Sequence, residues 1–263
     1  MDQKAQILGS VVAGISSTVL GHPLDTVKTH LQTNPQLLNS VEVIQKLRLG
    51  VFRGIAPPLV NAIIMNSVMF SAFDAVEARL KNPFIAGVLA GFATAVISTP
   101  TDYVKIQMQL SSNKQKRLMS SILFPNSSND FMSLHKFYRG FTLNLAREGI
   151  FTMVYLGIYH WAMANHGSSS EQFNHVVFVA GTSALTGAMA WVVSYPFDVA
   201  KTMVQSGSSF QEVRGMLHGP NDGRNGDRLK MFYRGCLPST GRAMLVTSSR
   251  MIAYDLVIRY FAD

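Results

Sequence analysis

Three times in this chain a proline is followed by aspartate two residues on, lysine five residues on and glutamine nine residues on. The copies are Pro23, Asp25, Lys28 and Gln32, then Pro100, Asp102, Lys105 and Gln109, then Pro196, Asp198, Lys201 and Gln205. An acid and a base three residues apart share one face of a helix. The glutamine extends that stripe by about another turn. Groups of this kind make ion pairs and hydrogen bonds that form and break. A second set of charges is Arg147 beside Glu148, with Arg242 later in the chain. Arginine meets a carboxylate in bidentate fashion, and a glutamate can meet an ammonium. The chemistry on offer is therefore recognition and gating. GxSxG, HExxH, CxxC and GK[ST] patterns are absent from the sequence, so no enzyme site, metal site or cofactor is expected.

The elements that carry these charges are apolar. The 263 residues are 48% hydrophobic and only 14% charged, against about 25% charged in an average soluble domain. Six long apolar segments lie near 5–32, 54–78, 83–110, 140–164, 173–205 and 236–261. Each exceeds the roughly 20 residues a membrane span needs. The net charge of +8 fits an anionic membrane surface better than nucleic acid. The single Cys236 excludes an intramolecular disulfide.

The repeat has more parts than its charges. Gly14, Gly91 and Gly187 each lie nine residues before a motif proline, with Ser10, Gly87 and Ser183 four residues earlier. Small residues at that spacing let membrane helices approach closely. An aromatic-Arg-Gly motif follows each charged one, at Phe52-Arg53-Gly54, Tyr138-Arg139-Gly140 and Tyr233-Arg234-Gly235. The expected fold is an all-α membrane protein of six spans in three two-helix repeats, 1–82, 83–172 and 173–263, around a central cavity. Pro23, Pro100 and Pro196 are expected to kink their helices by removing a backbone hydrogen bond. The long connections carry thirteen Lys and Arg, against four on the short-loop side. By the positive-inside rule they face the compartment equivalent to the bacterial cytoplasm, with both termini opposite.

Unpaired charge inside a membrane helix costs about 2.5–3.5 kcal/mol or more. A ring of Asp25 with Lys105, Asp102 with Lys201 and Asp198 with Lys28 would neutralise all six, with the glutamines alongside. Ion pairs that water reaches are weak, about 0–1 kcal/mol, which suits a gate. Seven residues after each motif glycine stand Asn61, Arg147 and Arg242. Neighbouring residues on a helix diverge by about 100°, so Arg147 and Glu148 are not expected to neutralise each other cleanly. A zwitterionic solute would satisfy both.

These motifs resemble those of the mitochondrial carrier family over nearly the whole length. The resemblance implies alternating access of a solute across the mitochondrial inner membrane, with the termini on the intermembrane side. Peroxisomes and plastids hold related carriers. It also assigns the charge ring to the matrix gate, and makes Arg147, Glu148, Arg242, Asn61 and Asn66 the solute contacts. The Arg-acid pair and Asn66-Ser67-Val68-Met69-Phe70 are similar to the carnitine/acylcarnitine and ornithine branch, although Met65 stands where ornithine carriers have an acid. A carnitine-like or amino-acid-like zwitterion is the expected solute. The alternatives are a small carboxylate or proton-leak carrier, or a non-transporting scaffold. A monomer is expected, with an anionic lipid such as cardiolipin at the helix starts after Gly54, Gly140 and Gly235.

The opposite gate departs from the family. Its aromatic-acid-x-x-base pattern reads here Phe73-Asp74-Ala-Val-Glu77, Tyr159-His160-Trp-Ala-Met163 and Tyr254-Asp255-Leu-Val-Ile258. No base stands in the last position. A second ion-pair ring is expected to be weak or absent, leaving the resting protein closed to the matrix.

Overall fold

The computed structural model describes residues 3–33, 52, 55–110, 137–166, 172–207, 209–218, 233 and 236–261, without the side chains of 24–33, 105 and 107–110 among others. Every element among them is helical. The order is α1 (Gln3–Thr33), α2 (Ala56–Leu80), α3 (Pro83–Leu110), α4 (Phe141–Thr152), a π-helical turn (Met153–Gly157), α5 (Ile158–His166), α6 (Gln172–Ser206), α7 (Phe210–His218) and α8 (Cys236–Tyr260). α4, the π turn and α5 are consecutive and make one span. With α1, α2, α3, α6 and α8 they give six transmembrane helices.

Among the described residues, length and composition mark four stretches as able to cross a membrane: Lys4–Pro23, Pro58–Leu80, Pro83–Val104 and His175–Ser206. The fourth span is interrupted by its π turn. The sixth, α8, has 25 residues and carries Arg242, Arg250, Asp255 and Arg259. At 1.5 Å per residue it is still long enough for a core of about 30 Å.

The burial pattern is that of a protein in lipid. Leu8, Ile15, Val60, Ile64, Leu185 and Val193 are exposed, while Ser10, Thr94, Thr99, Asn144, Ser183 and Thr247 are buried. In water such an apolar surface would be a liability; in a bilayer it faces acyl chains. The spans form a closed ring. α1 packs on α2 and on α8, α2 on α3, α3 on α4, the fourth span on α6, and α6 on α8.

Small residues make the seams. A Cβ on Gly14 would come 2.9 Å from Ile63 Cα, one on Gly91 2.5 Å from the Glu148 carbonyl oxygen, and one on Gly187 2.2 Å from Thr247 Oγ1. So α1 closes on α2, α3 on α4 and α6 on α8 with almost no side-chain layer between. Two threonines lock these seams. Thr152 Oγ1 donates to the Gly87 carbonyl (2.6 Å) and Thr247 Oγ1 to the Ser183 carbonyl (3.0 Å). Both stand twelve residues after a motif glycine, and Asn66 holds that place in the first repeat.

α1, α3 and α6 run unbroken through Pro23, Pro100 and Pro196. The turn from α2 to α3 is tight. Lys81 takes φ 51°, its N–H bonds the Glu77 carbonyl, and Asn82 Oδ1 accepts from the N–H groups of Phe84 and Ile85.

Candidate functional site

Asn144 lies at the centre of the interior polar network. It sits on the first turn of α4 and is completely buried. Its amide donates to Ser98 Oγ (2.8 Å) and Thr99 Oγ1 (2.7 Å), just before Pro100 on α3. Its carbonyl accepts from Lys201 Nζ (2.7 Å) on α6 and from Arg147 Nε (3.4 Å). One side chain thus joins α3, α4 and α6. Lys201 also reaches Asp102 Oδ2 at 2.5 Å. This is one of the three pairs expected from the repeat, and it crosses the interior from α6 to α3.

Asp198 is met by a different partner. Arg147 Nη1 lies 3.6 Å from Asp198 Oδ1, and Arg147 Nη2 bonds Glu148 Oε1 directly. The expectation that Arg147 and Glu148 fail to neutralise each other is therefore corrected. Their Cα–Cβ bonds diverge, but a long guanidinium stem folds back over one residue. Both side chains are nearly buried, at 13% and 11% exposure, which favours pairing over two separate charges. The side chains of Asp25, Lys28, Gln32, Lys105 and Gln109 lie outside the described residues.

Gln205 is fully buried, and its amide donates to the Arg139 carbonyl at 3.3 Å. Arg139 in turn donates to the Gly207 carbonyl at 2.9 Å. The glutamine thus ties α6 to the aromatic-Arg-Gly motif. Gly140 follows with φ 79°, a conformation that favours glycine, and starts α4. A groove of about 530 Å³ at this start is lined by Tyr138, Arg139, Gly140, Thr142, Ser209 and Glu212, among others. Gly54 and Gly235 lie outside the described residues.

Asn66 is buried, and its amide donates to the Ala62 carbonyl of its own helix (2.7 Å). Asn61 is exposed on α2. Arg242 faces α1, where a Cβ on Gly21 would lie 3.6 Å from its Nη2. Sequence reasoning missed Arg250. It stands two turns beyond Arg242 on α8, with its guanidinium carbon 6.0 Å from the centre of the Tyr155 ring. Tyr155 belongs to the π turn, is fully buried, and donates to the Thr247 carbonyl at 3.3 Å. An intramembrane arginine was signal enough to find Arg250, but it has no charged counterpart in the other repeats: Met69 and Tyr155 hold the equivalent positions.

The short-loop end is filled. The second, fourth and sixth spans are not ring neighbours, so contacts between them cross the interior. Phe70 stacks on Tyr254 with centroids 4.3 Å apart, and Tyr254 Oη donates to Asp74 Oδ2 at 2.7 Å. Phe73 packs on His160 at 4.5 Å, and His160 Nδ1 lies 3.5 Å from Glu77. Tyr155 links the fourth span to the sixth. Phe70, Phe73, Tyr155, Leu156 and Met251 are all essentially inaccessible. A further set, His175, Asp255 and Arg259, ties α6 to α8. Among the described residues no ion-pair ring forms in the expected register, and this end closes on aromatic rings instead.

A family model described as mitochondrial carrier protein matches the chain three times, over residues 4–84, 77–168 and 173–263. The chain is 28% identical to the mitochondrial 2-oxodicarboxylate carrier of Rattus norvegicus, covering 90% of this chain and 88% of that protein. It is 25% identical to solute carrier family 25 member 45 of Mus musculus, covering 94% and 96%. It is 24% identical to the mitochondrial arginine transporter BAC2 of Arabidopsis thaliana, covering 94% and 88%. A closed ring of six spans, a charged pair between α3 and α6, and a threefold family match together place this chain in the mitochondrial carrier family.

Proposed function

We propose that this carrier moves a small carboxylate-bearing solute across the mitochondrial inner membrane by alternating access. Its membership makes it a multi-pass membrane transporter and not an enzyme. The narrower reading rests on one observation: the acid of the solute layer, Glu148, is already met by Arg147. With that pair formed, the layer presents arginine rather than free glutamate. The Arg147–Asp198 contact, at 3.6 Å, is longer than a good charge-assisted hydrogen bond of about 2.7–2.9 Å. An arriving carboxylate would displace Asp198 from Arg147 and leave Glu148 in place. Solute entry then loosens a gate residue, which couples binding to opening. The 2-oxodicarboxylate carrier among the relatives fits this chemistry.

A zwitterionic, amino-acid-like or carnitine-like solute is the second reading. Glu148 favours it, because a solute ammonium could replace Arg147 on that carboxylate and free Arg147 for the solute carboxylate. The Arabidopsis arginine transporter among the relatives is consistent with that. Uptake into liposomes holding the purified protein separates the two. The panel would contain 2-oxodicarboxylates, carnitine, acylcarnitines, and neutral and basic amino acids, with Glu148→Gln run beside the parent. Uptake of carboxylates with little change in Glu148→Gln is expected. Uptake confined to zwitterions, abolished in Glu148→Gln, would overturn the carboxylate reading.

A further inference from the structure

We propose that Arg250 reads a second carboxylate, so that the transported solute is a dianion. This rests on the carboxylate reading above and narrows it. Arg250 stands on α8 eight residues beyond Arg242, about 12 Å further along the axis. The two guanidinium groups nevertheless interact electrostatically, and Glu148 is the acid that Arg250 feels among the described residues. That acid is already paired with Arg147. The Nε of Arg250 is buried, with no hydrogen-bond acceptor among the described residues.

Charge arithmetic points the same way. The three motif aspartates and three motif lysines balance. Arg147, Arg242 and Arg250 against Glu148 leave the solute layer with two positive charges in excess. Like charges held together inside a membrane are expensive without an anion between them. A solute with one carboxylate neutralises half of that excess, whereas a dicarboxylate neutralises all of it. Tyr155 positions the new residue: its ring lies against the Arg250 guanidinium, and its hydroxyl is fixed on Thr247 of the same helix. Cation–π contact holds a guanidinium in place without consuming its N–H donors, so the fork stays able to bind a carboxylate. Tyr155 itself lies within the π turn. Arg147 then meets the first carboxylate of the solute and Arg250 the second, beneath the aromatic closure, with Arg242 adding charge to the layer.

The test is competitive uptake by the purified carrier in liposomes. One solute is a 2-oxodicarboxylate of five or six carbons; the other is the 2-oxo monocarboxylate of equal length. The parent should prefer the dicarboxylate. Arg250→Met and Arg250→Gln should lower dicarboxylate uptake about tenfold, mainly through KM, with monocarboxylate uptake changed less than twofold. Arg250→Lys keeps the charge and should fall between. Thermal unfolding midpoints in detergent check that each variant is folded, and Arg250→Lys carries the test if the neutral variants are not. Parallel loss of both solutes would make Arg250 an architectural residue and overturn the proposal. So would an unchanged ratio, or a parent that carries both carboxylates equally; each of these leaves the carboxylate reading standing. A parent that carries only zwitterions overturns both.

Discussion

At the long-loop end, Lys201 reaches across the interior to Asp102 and shares Asn144 with Arg147. At the short-loop end, Phe70, Phe73, Tyr155 and Tyr254 fill the same interior with rings. The first closure is charged, partly open to water, and addressable by a charged solute. The second is packed from aromatic rings, with its charged groups at its margin. A carboxylate can therefore compete for the first set of contacts but not directly for the second. The short-loop end must yield through movement of whole spans, since its rings come from the second, fourth and sixth.

Removing Arg147 should give the largest effect. Arg147→Leu strands Glu148 and Asp198 as uncompensated carboxylates, and losing one partner of a buried pair costs about 3–5 kcal/mol. The expected readout is a large fall in the thermal unfolding midpoint, partly recovered by adding Glu148→Gln. Without that recovery, the pairing of Arg147 with Glu148 contributes nothing to stability and the contrast weakens. Lys201→Met comes next, at about 1–3 kcal/mol, because Asp102 is one-third exposed and water softens the loss. Transport should fall with it, and the exchange Asp102→Lys with Lys201→Asp should restore part of it, whereas either half alone should not.

At the other end Phe73→Leu should cost about 1–2 kcal/mol through lost packing. Its effect should not change with ionic strength, while that of Lys201→Met should shrink as the screening length falls to about 3 Å at 1 M salt. Equal salt dependence at both ends would break the comparison. Tyr254→Phe should be smallest, about 1 kcal/mol for the single hydrogen bond to Asp74. Hydrogen exchange of the α8 amides near Tyr254 would detect it as faster local opening.

The fold was legible because it is written three times. The recurrence of Pro, Asp, Lys and Gln, with the small residues before and the aromatic-Arg-Gly after, settles six spans and their seams without side-chain detail. The pair Asp102 with Lys201 was legible for the same reason. Asn144 was not, because it has no echo: Pro58 and Ser239 hold its place in the other repeats. Arg250 was missed on the same ground. The pairing of Arg147 with Glu148 was misjudged because helical angles describe where a side chain leaves the backbone, not where a long one ends. The aromatic closure was overlooked because a search for bases in the last position of a motif says nothing about rings in the first.

The π turn at Met153–Gly157 makes one ruler unreliable. Phe73, Tyr159 and Tyr254 all lie nineteen residues after their motif glycines. By counting they are the same residue three times. A π turn is wider than an α turn, so everything beyond it in the fourth span is rotated relative to its counterparts. In the fourth span it is His160, one step later, that meets Phe73 and Glu77. Substitutions copied between repeats by offset will therefore land on matching faces before Met153 and on different faces after it.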